Sequence, residues 1–204
     1  MKLKVCGMKF VENIEQVSGL CPDYMGFIFY EKSKRNFEGV IPKLPKSIKK
    51  TGVFVNEYPE ILVSLVEEYQ LEAIQLHGDE TIAYIKQIKT YLPSIEIIKV
   101  FGIKDEFNFE LLKPFLQVVD YFLFDTKGKE RGGNGYQFDW SILEAYPYEK
   151  PFFLSGGIGL KEVVDVQKVL DSDLPMYAID INSKFEIEPG LKNINDIKIF
   201  KNKL

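Results

Sequence analysis

Metal-binding side chains are scarce in this sequence: 204 residues hold one histidine, His77, and two cysteines, Cys6 and Cys21. With no second histidine and no ligand-spaced cysteine, metal binding through His77 is not expected. Two cysteines are also too few for a disulfide framework. Both thiols are expected to be free, as in a reducing compartment. Basic residues are not in excess: 26 lysines and arginines stand against 30 acidic residues, a net charge of -4. The basic ones are also scattered, which argues against a nucleic-acid partner. No apolar run approaches the ~18 residues of a membrane span, and residues 1–10 alternate lysine with apolar side chains instead of building a signal-peptide core. The expectation is a cytoplasmic protein with no membrane partner. A Gly-x-Gly-x-x-Gly turn after the first strand is missing too, and with it the mark of a dinucleotide-binding open sheet.

What is present is alternation. Short β-rich runs at 3–6, 24–29, 50–55, 73–77, 96–101, 121–125, 151–155 and 177–181 alternate with segments of helical period, the pattern of βα units around a parallel sheet. Ile61, Leu62, Leu65, Val66 and Tyr69 fall at helical spacing, as do Ile82, Ile85 and Ile88, then Val163, Val166 and Leu170, and finally Leu191, Ile194 and Ile197. Pro59 suits a first helical turn, and Asp139, before Trp140, suits an N-cap. Eight strand candidates leave about 25 residues per unit, which predicts a compact (β/α)8 TIM barrel with residues 1–204 as one catalytic domain. A content of 46% hydrophobic residues is enough to fill such a core.

The strand ends then select the chemistry. In a (β/α)8 barrel all strand C-termini open on one face, and catalytic groups sit there. Cys6, His77, Asp125, Ser155, Asp180 and Asn182 close or just follow strand candidates. A thiol and a carboxyl meeting at one mouth suit proton shuffling on a small molecule. Asp125 closes the apolar run YFLF, where burial is expected to raise its pKa and keep it protonated enough to act as an acid. Cys6 reads either as an inert buried small residue or as a catalyst. The paired glycines of LSGGIG at 154–159 lie between strand seven and its helix, where N–H groups and a helix N-terminus favour an anion; a tight turn is the plain alternative.

Arg35 ends the run KSKR after strand two and offers a planar fork for a carboxylate, against the ordinary reading of solvated surface charge. His77 reads as a polar residue satisfied at a strand end, with contact to ligand as the alternative. The glycine-rich stretch 127–135 is placed to be a lid over the mouth, or else a disordered surface loop. Because strand residues alternate, Lys4 shares the interior face with Cys6, and a buried ammonium needs a partner. Asp180, on the strand that closes against the first, is the expected one.

Six motifs occur in order at strand ends: KVCG at 4–7, FYEKSKR at 29–35, QLHG at 75–78, FDT at 124–126 followed by GGNGYQFDW at 132–140, SGG at 155–157, and DINS at 180–183 with PGLK at 189–192. Together they resemble the phosphoribosylanthranilate isomerases, cofactor-free (β/α)8 enzymes of tryptophan biosynthesis, over essentially the whole chain. The resemblance implies an Amadori rearrangement of N-(5-phosphoribosyl)anthranilate, a small phosphorylated substrate. It implies Cys6 as general base and Asp125 as general acid, Arg35 facing the anthranilate carboxylate, and Gly156, Gly157, Ser183 and Lys184 around the phosphate. A monomer and a homodimer are both compatible with it.

Two departures stand out. Lys184 stands where the family usually has glycine, with Phe185 in place of valine, and Asn193 stands where the PG-x-K motif usually continues to aspartate. Both touch the phosphate loop and the start of the last helix, not the two proton carriers. Other classes make different demands. An indole-glycerol-phosphate synthase, a related lyase, requires lysine and glutamate catalysts, which the thiol and carboxyl pair does not supply. A non-catalytic barrel that binds a phosphorylated ligand needs neither Cys6 nor Asp125.

Overall fold

The eight expected strands form in chain order: β1 (Lys2–Val5), β2 (Tyr24–Phe29), β3 (Lys49–Phe54), β4 (Ala73–Leu76), β5 (Glu96–Ile103), β6 (Tyr121–Thr126), β7 (Phe152–Leu154) and β8 (Met176–Ile181). Each pairs in parallel with the next, and β8 pairs with β1 to close the TIM barrel. The computed structural model describes residues 1–126 and 138–204. The expected lid at 127–135 lies outside the described residues.

Five α-helices lie among the described residues: α1 (Val11–Ser18), α2 (Pro59–Tyr69), α3 (Ile82–Tyr91), α4 (Val163–Leu170) and α5 (Ile194–Lys201). Pro59 opens α2, and Thr81 caps α3 by accepting from the Tyr84 N–H. Among the described residues the helical half of the repeat is incomplete. No helix forms between β2 and β3, where Gly39, Pro42 and Pro45 interrupt any helical period. Among the described residues, the connections after β5 and β6 carry only 3-10 helices, Phe109–Phe115 and Trp140–Ala145. Asp139 caps the second as expected, accepting from the Ser141 N–H. Leu191, expected in the closing helix, instead belongs to a short strand, β10 (Leu191–Lys192), antiparallel to β9 (Glu186–Glu188).

Aromatic packing covers the side of the barrel where the two 3-10 helices lie. The ring of Phe124 on β6 lies 5.1 Å from Phe152, 5.5 Å from Tyr146, 6.2 Å from Phe107 and 6.3 Å from Phe109, centroid to centroid. Burying one such ring contributes roughly 1.5–3 kcal/mol, so two short turns bearing aromatic side chains can cover these strands.

Strand alternation sorts the rest. Val5, Phe27, Phe124 and Ile179 point outward into the large core beneath the helices. Tyr24, Ala73, Ile98, Leu123, Phe153 and Ala178 point inward and fill the lower barrel. Above that plug lies the expected ion pair: Lys4 and Asp180 are register partners on β1 and β8, and Lys4 Nζ lies 2.8 Å from Asp180 Oδ2 with both side chains buried. The mouth opens above it. No helix among the described residues is long and apolar enough to cross a membrane.

Candidate active site

Cys6 follows β1 directly and points inward, its N–H donating to the Ile181 carbonyl at 2.9 Å. The neighbouring strand makes room for it. A Cβ at Gly26 on β2 would stand 2.7 Å from Sγ, so only glycine leaves the thiol where it is. Burial pushes the Cys6 thiol up; the Lys4 ammonium pulls it back, Asp180 pushes it up again and Lys192 opposes, leaving it above its ordinary value. Burial also works against the Lys4 ammonium, but Asp180 and Cys6 together more than offset this and leave it above its ordinary value.

Asp125 ends β6 on the same inner face. Burial pushes its carboxyl up to about 6; the Thr126 N–H holds it back, Asp180 adds to the rise, and Lys4 and Ser155 oppose it. The Thr126 N–H donates to Oδ1 at 2.8 Å. His77 Nε2 lies 3.6 Å from Oδ2, an electrostatic contact longer than a hydrogen bond. Gln75 Nε2 lies 3.3 Å from His77 Nδ1. The two side chains share one face, and the ring nitrogen away from Gln75 is the one that faces Asp125. Gly156 backs this carboxylate: its φ is +89°, and a Cβ there would collide with Thr126 and stand 2.9 Å from Asp125 Oδ1.

Arg35 is held as a fork. Its Nε donates to Glu186 Oε1 and Oε2 at 2.9 and 3.0 Å, and its Nη2 donates to Oε2 at 2.7 Å. Glu186 Oε1 also accepts from Lys192 Nζ at 2.7 Å and from the Gly190 N–H at 3.0 Å. Burial works against the Glu186 carboxylate, yet Arg35 and Lys192 hold it below its ordinary range. Burial pulls Lys192 down to about 8 against the attraction of Glu186.

The candidate anion loops adjoin. Gly156 and Gly157, with φ of +89° and +71°, lie between β7 and α4. Ser183 and Lys184 lie in the 3-10 turn after β8. Lys184 Cβ stands 3.2 Å from where a Gly159 side chain would begin, so its stem lies over the glycine loop.

The barrel thus brings Cys6, Asp125, Arg35, Gly156, Gly157, Ser183 and Lys184 to one end. Sequence reasoning gives Glu186 and Lys192 no role, and it leaves His77 a plain polar residue. For His77 a signal exists. It lies two residues beyond Gln75 on one face of β4, the spacing that makes Lys4 and Cys6 neighbours.

The chain matches the family model for N-(5'phosphoribosyl)anthranilate (PRA) isomerase over residues 3–203. It is 42% identical over 209 residues to an N-(5'-phosphoribosyl)anthranilate isomerase of Parabacteroides distasonis, covering 98% of this chain and 91% of the relative. The crystal structure of phosphoribosyl anthranilate isomerase from Thermotoga maritima is similar over 100% of this chain and 98% of its own, at a TM-score of 0.83 and 32% identity. A further phosphoribosyl anthranilate isomerase, solved in complex with reduced 1-(o-carboxyphenylamino)-1-deoxyribulose 5-phosphate, is similar at a TM-score of 0.80 and 30% identity, covering 100% of this chain and 97% of its own. A family match across nearly every residue, on the barrel that its members share, makes this chain a member of the PRA isomerase family.

Proposed function

We propose that this chain catalyses the Amadori rearrangement of N-(5-phosphoribosyl)anthranilate to 1-(2-carboxyphenylamino)-1-deoxyribulose 5-phosphate in tryptophan biosynthesis, by general acid/base catalysis. The observation that carries it is the buried pair of Cys6 and Asp125 at one barrel mouth, in a chain of this family. The relative bound to the reduced product supports the choice of ligand.

Asp125, protonated, gives its proton to the furanose ring oxygen, and the C1–O bond opens to an iminium. The Cys6 thiolate then takes the proton from the adjacent carbon, leaving an enolamine. That enolamine loses its hydroxyl proton and gains one at C1 to become the ketone. Cys6 ends with a proton and Asp125 without one, so a net proton returns from thiol to carboxylate before the next turnover. With Asp125 at about 6 and the thiol above its ordinary value, the working form is the less populated of the two singly protonated states.

Arg35 takes the anthranilate carboxylate, and Gly156, Gly157, Ser183 and Lys184 take the phosphate. Residues 1–204 work as one catalytic domain in the cytoplasm, as a monomer or a homodimer. The test is to supply phosphoribosylanthranilate to the purified protein without metal or cofactor. The aminodeoxyribulose phosphate should form, and its absence at every pH sinks the reading.

A further inference from the structure

Asn182 follows β8 at the barrel mouth, and no step above uses its side chain. We propose that Asn182 is a further catalytic residue, its amide donating to the oxygen on the carbon from which Cys6 takes a proton, and that Lys192 sets the direction of that amide. This rests on the reading of Cys6 as the base.

Strand register places the two side chains together. Lys4 pairs with Asp180 and Val5 with Ile181 across the seam of β1 and β8, and the Cys6 N–H continues the ladder by donating to the Ile181 carbonyl. Inward residues alternate, so the next inward step above Lys4 and Asp180 brings Cys6 and Asn182 side by side. Gly7 makes the room. A Cβ there would stand 2.7 Å from Asn182 Oδ1 and 2.8 Å from Arg35 Cδ. The amide therefore lies against the residue that follows the thiol and beside the Arg35 stem, and Ser183 of the proposed phosphate loop comes next in the chain.

Charge fixes which way the amide points. Lys192 Nζ lies 2.6 Å from Oδ1, and an ammonium only donates, so the oxygen faces Lys192 and the NH2 faces away. Lys192 is held in turn: its Nζ donates to Glu186 Oε1 at 2.7 Å, its N–H to Asn13 Oδ1 at 2.7 Å, and its carbonyl accepts from Asn13 Nδ2 at 3.0 Å. An asparagine ahead of a helical turn ordinarily caps it, yet Asn182 makes no side-chain cap hydrogen bond to the 3-10 turn Ser183–Phe185. Among the described residues Nδ2 has no acceptor, and it is not a closed-in atom, since the residue is half-buried. Two N–H donors thus open on the mouth.

Donors of this kind need an oxygen. A substrate held by its carboxylate at Arg35 and by its phosphate beside Ser183 lays its pentose across Asn182, and the carbon facing Cys6 bears a hydroxyl. That oxygen loses its proton as the enolamine becomes the ketone. A donor already aimed at it stabilises the charge that gathers there, and removing one such donor costs on the order of 10²-fold in rate.

The test is calorimetric binding of two ligands: reduced 1-(2-carboxyphenylamino)-1-deoxyribulose 5-phosphate, which carries a hydroxyl at that carbon, and its counterpart without that hydroxyl. The parent should bind the hydroxylated ligand roughly five- to tenfold more tightly, the worth of one hydrogen bond. Asn182→Ala should bind the two alike, with kcat lower by about 10²-fold. A purely structural Asn182 would weaken both ligands together and keep the parental ratio, and that result would overturn the proposal. Asn182→Asp keeps an oxygen for Lys192 and loses the donor, so its kcat should fall as far; parental kcat there would also overturn it. Lys192→Met leaves the amide free to turn over and should lower the ratio, and a parental ratio would remove Lys192 from its positioning role. A parent that binds neither ligand would instead sink the proposed function, and this inference with it.

Discussion

Nε2 of His77 faces Oδ2 of Asp125 at 3.6 Å, so the proposed acid is buried beside the one imidazole of the chain. Below about 6, where burial has pushed Asp125, both proton carriers are protonated and the thiolate is scarce. Raising the pH through that value removes one proton from the pair. The expected profile of kcat/KM rises to a plateau near 6 and falls only above the ordinary thiol range, where the second proton leaves. A profile that is flat between about pH 5 and 7 would count against the pair as the working groups.

The same burial makes Asp125 a stability liability. Its folded pKa, about 6, lies above its ordinary value of 3.8, so between these values the native state binds more protons than the unfolded one. Stability therefore falls as pH rises from about 4 to about 6 on account of this group. Asp125→Asn should raise stability at neutral pH by up to about 3 kcal/mol, an advantage that disappears below about pH 4, while kcat drops by ~10²- to 10⁴-fold. Urea unfolding at acid and neutral pH, beside turnover, measures both. A variant that loses stability at neutral pH would show that the carboxylate is well compensated.

Strand period makes most of the barrel legible, and the same period brings out the Lys4 and Asp180 pair, since alternation and closure between first and last strands are enough to place two inward residues side by side. Cys6 and Asp125 are legible because each ends an apolar run. The 3-10 connections are not, because their stability comes from rings at Phe107, Phe109, Phe124, Tyr146 and Phe152, gathered from separate segments. Nor is the Arg35 clamp. Its partner Glu186 lies 151 residues away on a hairpin too short to show a period of its own.

Arg35 and Glu186 should fail in a shared way. Arg35→Lys keeps the charge and loses the planar fork, and Glu186→Gln keeps the shape and weakens the anchor on Arg35 and Lys192. Charge-assisted hydrogen bonds are worth ~1.5–3 kcal/mol, so KM should rise roughly 10- to 100-fold in each variant. Steady-state kinetics separates the parameters. Parental KM in Arg35→Lys would return Arg35 to a purely structural pair with Glu186.

Gly26 is the quiet condition for the base. An alanine there would place Cβ 2.7 Å from Sγ, closer than atoms pack, and a tight 3.1 Å from the Cys6 Cα. Overpacking of this kind costs ~1–3 kcal/mol, and a displacement near 1 Å at a reacting group costs about 10²-fold in rate. Gly26→Ala should therefore lower kcat far more than it raises KM. An unchanged kcat would mean that the thiol can turn away without consequence, which no general base tolerates.

Lys184 offers the sharpest contrast between backbone and side chain. Its stem lies against the glycine loop while the residue is exposed, and it makes no ion pair among the described residues. If the Ser183 and Lys184 N–H groups hold the phosphate, the ammonium acts at long range on a substrate that carries both phosphate and carboxylate. It then speeds capture at low salt, an effect that fades as the Debye length shrinks to ~10 Å near 0.1 M ionic strength. Lys184→Gly should change kcat/KM modestly, flatten its dependence on ionic strength and leave competitive inhibition by inorganic phosphate intact. Loss of that inhibition would place the ammonium itself on the phosphate, since a glycine backbone keeps every N–H the loop had before.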